Sequence, residues 1–474
     1  MRGLSEAAGR KLTLAEIPEE QFLFWRELGF THVWLMGVWR TGPRVRQHSQ
    51  QVAEFRKMIP PCSDEEIAGS PYAIGAYEVS ESLGGAVALQ KFHDGLNSHG
   101  IRLILDFVPN HLGLDHSWLD EKPELFVRSE RKRQGTFRHP SQGIPRWFAH
   151  GRDPYFEPWV DTVQLEYRNP ATREAMAREL VSIARLCDGV RCDMAMLLLN
   201  EVFTATWKEF PASSNPPATE FWTEAIAAVR QDRVDFEFIA EVYWGLETRL
   251  LELGFDYAYD KRLYDQLIKK NAAAVQRHLL EASRAFVEQG VHFIENHDEP
   301  RVASLLSVAE HRAAAVVGAG LPGMCLLHEG QLSGARKRLA VQLIRSRTEA
   351  DQPEISAFYG ELMRTVKREN LRSGEAELLR PREAWPGNPT AVNFVVTQWN
   401  VQVDRFFLVV VNLAAHASQC RVDPKLVPME NAWSIRGLLE SEDYVRDGAD
   451  LKEQGMFLDF PGHDTQIFAF TPMK

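Results

Sequence analysis

GAVALQKFHDGLNSHGIRLILDFVPNH, residues 85–111, decides the fold class. Val87, Leu89, Phe92 and Leu96 recur at helical spacing, Gly100 stops the helix, and the apolar run 101–107 follows as a buried strand ending among the polar residues Asp106, Asn110 and His111. The same helix-then-strand unit recurs on both sides. Upstream, a helix near 18–28 feeds the run 31–36 (THVWLM). Downstream, Asn169-Pro170 opens a helix with Met176, Leu180 and Ile183 on one face, which delivers 187–193 (CDGVRCD). Helix 221–229 precedes strand 236–240, and helix 275–286 precedes strand 291–295. Buried runs at 255–259 and 323–327 complete seven candidate strands.

Helices between consecutive buried strands require parallel pairing, and so many units over 1–374 fit a closed (β/α)8 TIM-type barrel better than an open doubly wound sheet. Residues 112–168, rich in Pro, Gly, Trp and Arg, are too long for a passive connection and read as a small inserted domain shaping a site. From 375 to 474 the pattern changes to short β-branched and aromatic runs such as 391–399, 406–412 and 465–471, the signature of a C-terminal antiparallel β domain, a sandwich. Gly318, Gly320 and Gly323 spell GxGxxG, but a helical pattern precedes them and a strand-like run follows, the reverse of a dinucleotide fingerprint.

A net charge of -11 argues against a nucleic-acid partner, because phosphate binding relies on clustered Lys and Arg. The basic run 128–138 (RSERKRQGTFR) lies in a polar loop region and reads as a solvated face. Five scattered cysteines, Cys62, Cys187, Cys192, Cys325 and Cys420, form no metal-ligand spacing and read as reduced, buried thiols. The N-terminal segment has no apolar signal core and no run approaches a membrane span, so the expected location is the cytoplasm, with no membrane partner. No feature specifies an oligomeric state.

Four strand ends carry polar clusters: Asp106 to His111, Arg191-Cys-Asp193, Glu241-Val-Tyr243-Trp244, and Glu295-Asn-His297-Asp298. A lone strand-end Asp is usually a cap and a lone His an interior group, but barrel geometry aims all four ends at one mouth. Alternation along the strand puts Arg191 and Asp193 on one face, where the guanidinium keeps the carboxylate ionised, as a nucleophile needs. Tyr243 and Trp244 beside Glu241 suggest apolar surroundings that would raise its pKa and keep it protonated. Two carboxyls of opposed ionisation, with aromatics that stack on sugars, are the apparatus of glycoside hydrolysis.

At these residues the chain resembles the alpha-amylase family, glycoside hydrolase family 13, over nearly its whole length. DFVPNH, GVRCD, IAEVYW and ENHDE are similar to its four signatures in order, and GFTHVWLMG, QLEYRNP and LPGMCLLHEGQ to weaker ones. The resemblance implies that Asp193 attacks the anomeric carbon, that Glu241 is the acid/base, and that Asp298 holds the ring hydroxyls. His111 and His297 would bind the sugar in the cleaved subsite, Arg191 and Asp106 would support it, and Tyr72 would stack beneath it, with Trp244 a further sugar contact. The family's first barrel strand precedes the first helix, whereas only a short polar lead stands here, so the expected barrel lacks that strand. In members with calcium, the asparagine matching Asn110 is a ligand; no acidic cluster in 112–168 has ligand spacing, although Asp153 and Asp161 are present. The expectation is no metal and no cofactor.

The leading reading is a retaining alpha-glycosidase acting on oligosaccharides or small alpha-glucosides. Glucosyl or maltosyl transfer shares the first half-reaction and stays open. A catalytically silent sugar-binding protein is the third reading, favoured only by the missing strand.

Overall fold

Each apolar run expected as a strand is one, though shorter than its run. The computed structural model describes residues 2–473 except 142–143, 213–216, 346–348, 403–404 and 426–431. Packing divides the chain into two units: Met1–Arg26, Phe30–Tyr259 and Leu339–Thr348, and then Glu27–Gly29, Asp260–Arg338 and Glu349–Lys474.

In the first unit, strands β1 (His32–Leu35), β2 (Arg102–Phe107), β3 (Gly189–Cys192), β4 (Glu237–Ala240) and β5 (Tyr257–Tyr259) lie side by side in chain order, each parallel to the next. Helix Gly85–Ser98 leads into β2 and buries Leu89, Phe92 and Leu96 of the expected stripe together with Ala88, whereas Val87, expected on the same face, is exposed to solvent. It ends where Gly100 takes φ +72, a left-handed value that glycine adopts without strain. Helix Pro170–Ile183 leads into β3; Asn169 caps it by accepting from the Ala171 N–H, and Pro170 sits where no backbone donor is needed. Helix Phe221–Arg230 leads into β4 and inserts Trp222 into the core, its Nε1–H donating to the Ala195 carbonyl at 2.8 Å. No strand precedes β1 among the described residues; Arg2–Ala7, Leu14–Glu16 and Glu19–Glu27 are helical.

The inserted segment forms two small antiparallel sheets, His111–Gly113 with Thr162–Gln164, and Arg128–Ser129 with Ile144–Ala149 and Thr136–Ser141. The basic run 128–138 is therefore not simply a polar loop. Both its ends are strands, while 131–134 between them are exposed and Arg133 lies over the Phe210 ring at 5.4 Å.

In the second unit, β6 (Gly290–His292) pairs in parallel with β7 (Met324–Cys325). The helix expected over 275–286 is two, Ala272–Glu281 and Arg284–Gln289, because Ala282 is extended and Ser283 restarts the helix by capping the Phe286 N–H. Helix Val308–Gly320 opens on a Ser307/Glu310 capping box and packs so closely that a Cβ on Gly320 would meet Val409 at 2.6 Å. From Glu375 onward, a six-stranded antiparallel sheet faces a three-stranded one, and Phe394, Val396, Leu408, Cys420, Trp433, Leu458 and Phe470 fill the space between. The opposite face of the larger sheet, with Trp399, Phe407, Val409 and Ile467, packs with residues of helix Val308–Gly320. Trp399 donates to the Gly320 carbonyl at 2.7 Å. Among the described residues, no helix is long and apolar enough to cross a membrane.

Candidate active site

Arg191 organises the site in the first unit. The register of β3 sets it opposite Asp106 on β2 and Ile239 on β4. The ladder continues one residue past the strands: Asp193 N–H donates to the Phe107 carbonyl at 2.8 Å and Glu241 N–H to the Cys192 carbonyl at 3.0 Å. Backbone hydrogen bonding thus holds the two carboxylates on adjacent strand ends.

One guanidinium spans them. Arg191 Nη1 donates to Asp193 Oδ1 at 2.7 Å, and Nη2 lies 2.7 Å from Glu241 Oε2; Nη1 is also 3.6 Å from Asp106 Oδ1. Arg191 is 1% exposed, and the rings of Trp34, Tyr72 and Tyr259 lie 5.3, 5.3 and 5.8 Å from it. Burial by itself would lower its pKa; the Glu241 carboxylate, then Tyr72, Tyr259 and Asp193, outweigh that and hold it well above the usual guanidinium value. A permanently charged fork between two buried acids results.

The surroundings of Glu241 correct the apolar pocket expected from Tyr243 and Trp244. Tyr243 turns its hydroxyl inward to donate to Glu241 Oε1 at 2.8 Å, and the Met194 N–H donates to Oε2 at 2.7 Å. With Arg191, three donors meet this carboxylate. Trp244 points outward, 40% exposed.

His111 is buried, with its ring 5.0 Å from that of Trp159. Burial pushes its pKa down to about 4, against the opposing pull of Asp161 and a backbone hydrogen bond at Tyr72, so the ring is neutral near pH 7. Asp106, Tyr72, Asp193 and Glu241 are thus gathered around the Arg191 guanidinium, and His111 is tied to the Tyr72 backbone.

In the second unit, His297 and Asp298 follow β6 and face each other, Nε2 to Oδ2 3.1 Å apart. Asn296 Oδ1 accepts from the N–H groups of Asp298 and Glu299, both at 3.0 Å, which turns the chain there. Glu295, named in the fourth strand-end cluster but given no role there, is buried, and Arg301 Nη1 reaches it at 2.6 Å and the Val302 N–H at 2.8 Å. Its signal was the Arg301 that follows ENHDEP.

Of the residues considered for calcium, Asn110 and Asp153 already have protein partners. The Asn110 side chain exchanges hydrogen bonds with Gln164, Nδ2 to Oε1 at 3.2 Å and Oδ1 from Nε2 at 3.1 Å. Asp153 caps the N–H groups of Tyr155 and Phe156. Glu166 is bound by both ends of the Arg168 guanidinium at 2.8 and 2.5 Å. Among the described residues, no three His, Cys, Asp or Glu side chains gather as a metal cluster.

The model of the alpha-amylase catalytic domain matches residues 19–373, which hold every residue of this constellation. The chain belongs to the alpha-amylase family. Two curated relatives are each 24% identical: Alpha-amylase MalA of Haloarcula japonica over 275 residues (55% of this chain, 36% of the relative), and Alpha-amylase 3 of Dictyoglomus thermophilum over 340 (66% and 58%). The chain thus spans well under two thirds of the length of either. Among solved structures, the maltogenic alpha-amylase AmyB of Thermotoga neapolitana is similar over 96% of this chain and 94% of its own, at 20% identity and a TM-score of 0.68. The Geobacillus thermoleovorans alpha-amylase, complexed with acarbose, is similar over 98% and 93%, at 18% identity and 0.67. Alpha-amylases of this kind are TIM barrels with a C-terminal antiparallel domain, and that is the fold of this chain.

Proposed function

We propose that this alpha-amylase family member is a retaining alpha-glycosidase that cleaves alpha-glucosidic bonds of oligosaccharides by double displacement. The observation that carries the reading is the Arg191 fork shared by Asp193 and Glu241. Retaining enzymes need two carboxyls about 5–5.5 Å apart, and two acids bridged by a single guanidinium are close neighbours. The structure of the Geobacillus alpha-amylase in complex with acarbose is consistent with a carbohydrate ligand.

Asp193, ionised beside Arg191, attacks the anomeric carbon and forms the glycosyl-enzyme ester. Glu241 gives a proton to the departing oxygen, then takes one from water, or from an acceptor sugar in transfer. Arg191 Nη2, the Tyr243 hydroxyl and the Met194 N–H hold the Glu241 carboxyl in place for both proton transfers. Neutral His111 exchanges hydrogen bonds with a sugar hydroxyl, Asp106 steadies Arg191, and His297 and Asp298 hold ring hydroxyls as the sugar flattens. The same reading assigns a barrel over 1–374, its insertion at 112–168 and the β domain at 375–474.

The test is proton NMR of a panel of gluco-oligosaccharides and disaccharides, which reports linkage, anomeric outcome and transfer products together. An alpha product formed first is expected, and a beta product refutes double displacement. Asp193→Asn should abolish turnover. Glu241→Gln should slow poor leaving groups about 100-fold to 10,000-fold and activated aryl glucosides far less; equal losses would remove Glu241 as the proton donor.

A further inference from the structure

A second buried ion pair closes the chain segment that carries His297 and Asp298. Glu295 is 0% exposed, and the far end of the segment takes both of its oxygens: Oε1 accepts from Arg301 Nη1 at 2.6 Å, and Oε2 from the Val302 N–H at 2.8 Å. Between these ends Asn296 Oδ1 turns the chain by accepting from the N–H groups of Asp298 and Glu299, and Glu299 Oε1 lies 3.2 Å from Lys261 Nζ. His297 and Asp298 thus sit in a turn whose neck and one flank are fixed.

The neck is tied in turn to the loop after β7. Arg301 Nη1 also donates to the Glu329 carbonyl at 2.6 Å, and His328 Nδ1 lies 2.9 Å from Arg301 Nη1 and 3.2 Å from Glu295 Oε1. Nη1 carries two hydrogens, which go to Glu295 and to the Glu329 carbonyl. Burial pushes the His328 pKa down, so its ring is neutral and completes the set by donating from Nδ1 to Glu295. A buried chain continues from there: the His328 N–H donates to Gln331 Oε1 at 3.3 Å, Gln331 Nε2 to the Tyr359 hydroxyl at 2.7 Å, and that hydroxyl to His311 Nε2 at 3.0 Å. Helices Val308–Gly320 and Pro353–Arg368 supply its last two members.

Burying an ion pair gains little stability over apolar side chains of the same volume, because desolvation of both charges offsets their attraction. Several directional bonds converging on one neck do fix its geometry, and at a site acting in the transition state a misplacement of about 1 Å can cost on the order of 100-fold in rate.

We infer that Glu295 and Arg301 are positioning residues that set His297 and Asp298 against the hydroxyls of the sugar being cleaved, so that recognition of those hydroxyls in the transition state depends on this pair. The inference rests on the proposed roles of His297 and Asp298.

The test compares the full chain with Arg301→Lys and Glu295→Gln on 4-nitrophenyl alpha-glucoside and on its 2-deoxy and 3-deoxy analogues. Lysine keeps the charge but cannot reproduce the reach of the guanidinium. Each variant should lose about tenfold in kcat on the parent glucoside with KM within about threefold. On at least one deoxy analogue, where the contact is already missing, the loss should shrink to about threefold or less. A loss of equal size on all three substrates, or none on the parent, overturns the positioning role, while Asp193→Asn still decides the catalytic reading. If Arg301→Lys does not fold, Glu295→Gln and His328→Gln carry the same comparison. If the native chain cleaves none of the three, the catalytic reading fails, and calorimetric titration with 1-deoxynojirimycin decides: about tenfold weaker binding in Glu295→Gln supports the positioning role, and unchanged or absent binding overturns it.

Discussion

Arg191→Lys is the substitution that weighs most on this site. The guanidinium reaches Asp193 and Glu241 through two nitrogens of one planar fork, each contact 2.7 Å long. A lysine ammonium is a point donor on a flexible stem and can satisfy one of these acids at that distance, not both. The other, buried at 7% or 3% exposure, loses a charge-assisted bond worth about 1.5–3 kcal/mol. If that bond persists in the transition state, kcat/KM falls by about 10-fold to 150-fold. The orphaned carboxyl also loses its counter-charge, which raises its pKa: the acid limb of the pH profile should move to higher pH if it is Asp193, the alkaline limb if it is Glu241. Trp34, Tyr72 and Tyr259 would lose the flat cation they surround, and the melting temperature should drop as well. The assay is kcat/KM on an activated aryl alpha-glucoside from pH 4 to 8, alongside thermal unfolding. A loss below about threefold with neither limb moved would refute the reasoning.

Acid should weaken the fold through buried histidines. His111, His116 and His311 are each pushed down to about 4 by burial, whereas the unfolded chain titrates near 6.5, so between those values the unfolded state binds more protons. Stability should therefore fall as pH drops through that window, by at most about 3 kcal/mol per group, and level off below about pH 4. Urea unfolding at several pH values checks this, and His311→Gln should flatten the slope. Arg168→Met should destabilise the fold by about 3–5 kcal/mol by leaving Glu166 charged and buried, with the Trp207 and Phe210 carbonyls losing a donor. Because Asn110, Glu166 and Asp153 already have protein partners, EDTA should leave the melting temperature of the native chain unchanged; a fall of several degrees would contradict that.

Much was legible in the sequence because it is a local property. A helical stripe such as Leu89, Phe92 and Leu96, a stop at Gly100 and an apolar run to Phe107 need only neighbouring residues, and side-chain alternation alone put Arg191 and Asp193 on one face. Strand ends were less certain than strands, and the break at Ala282 was hidden because an apolar stripe continues across it.

What the tertiary structure decided concerns residues far apart in the chain. Nothing near Glu241 announces that Arg191 and the Met194 N–H reach it; adjacent Tyr and Trp suggested apolar surroundings, and the fold turned Tyr243 in as a donor and Trp244 out toward Tyr155. The aromatic rings around Arg191 come from positions 34, 72 and 259, and the partner of Asn110 from position 164. Periodicity records which face of an element is buried; which side chain meets which depends on the register of β2, β3 and β4, set only when the whole sheet forms.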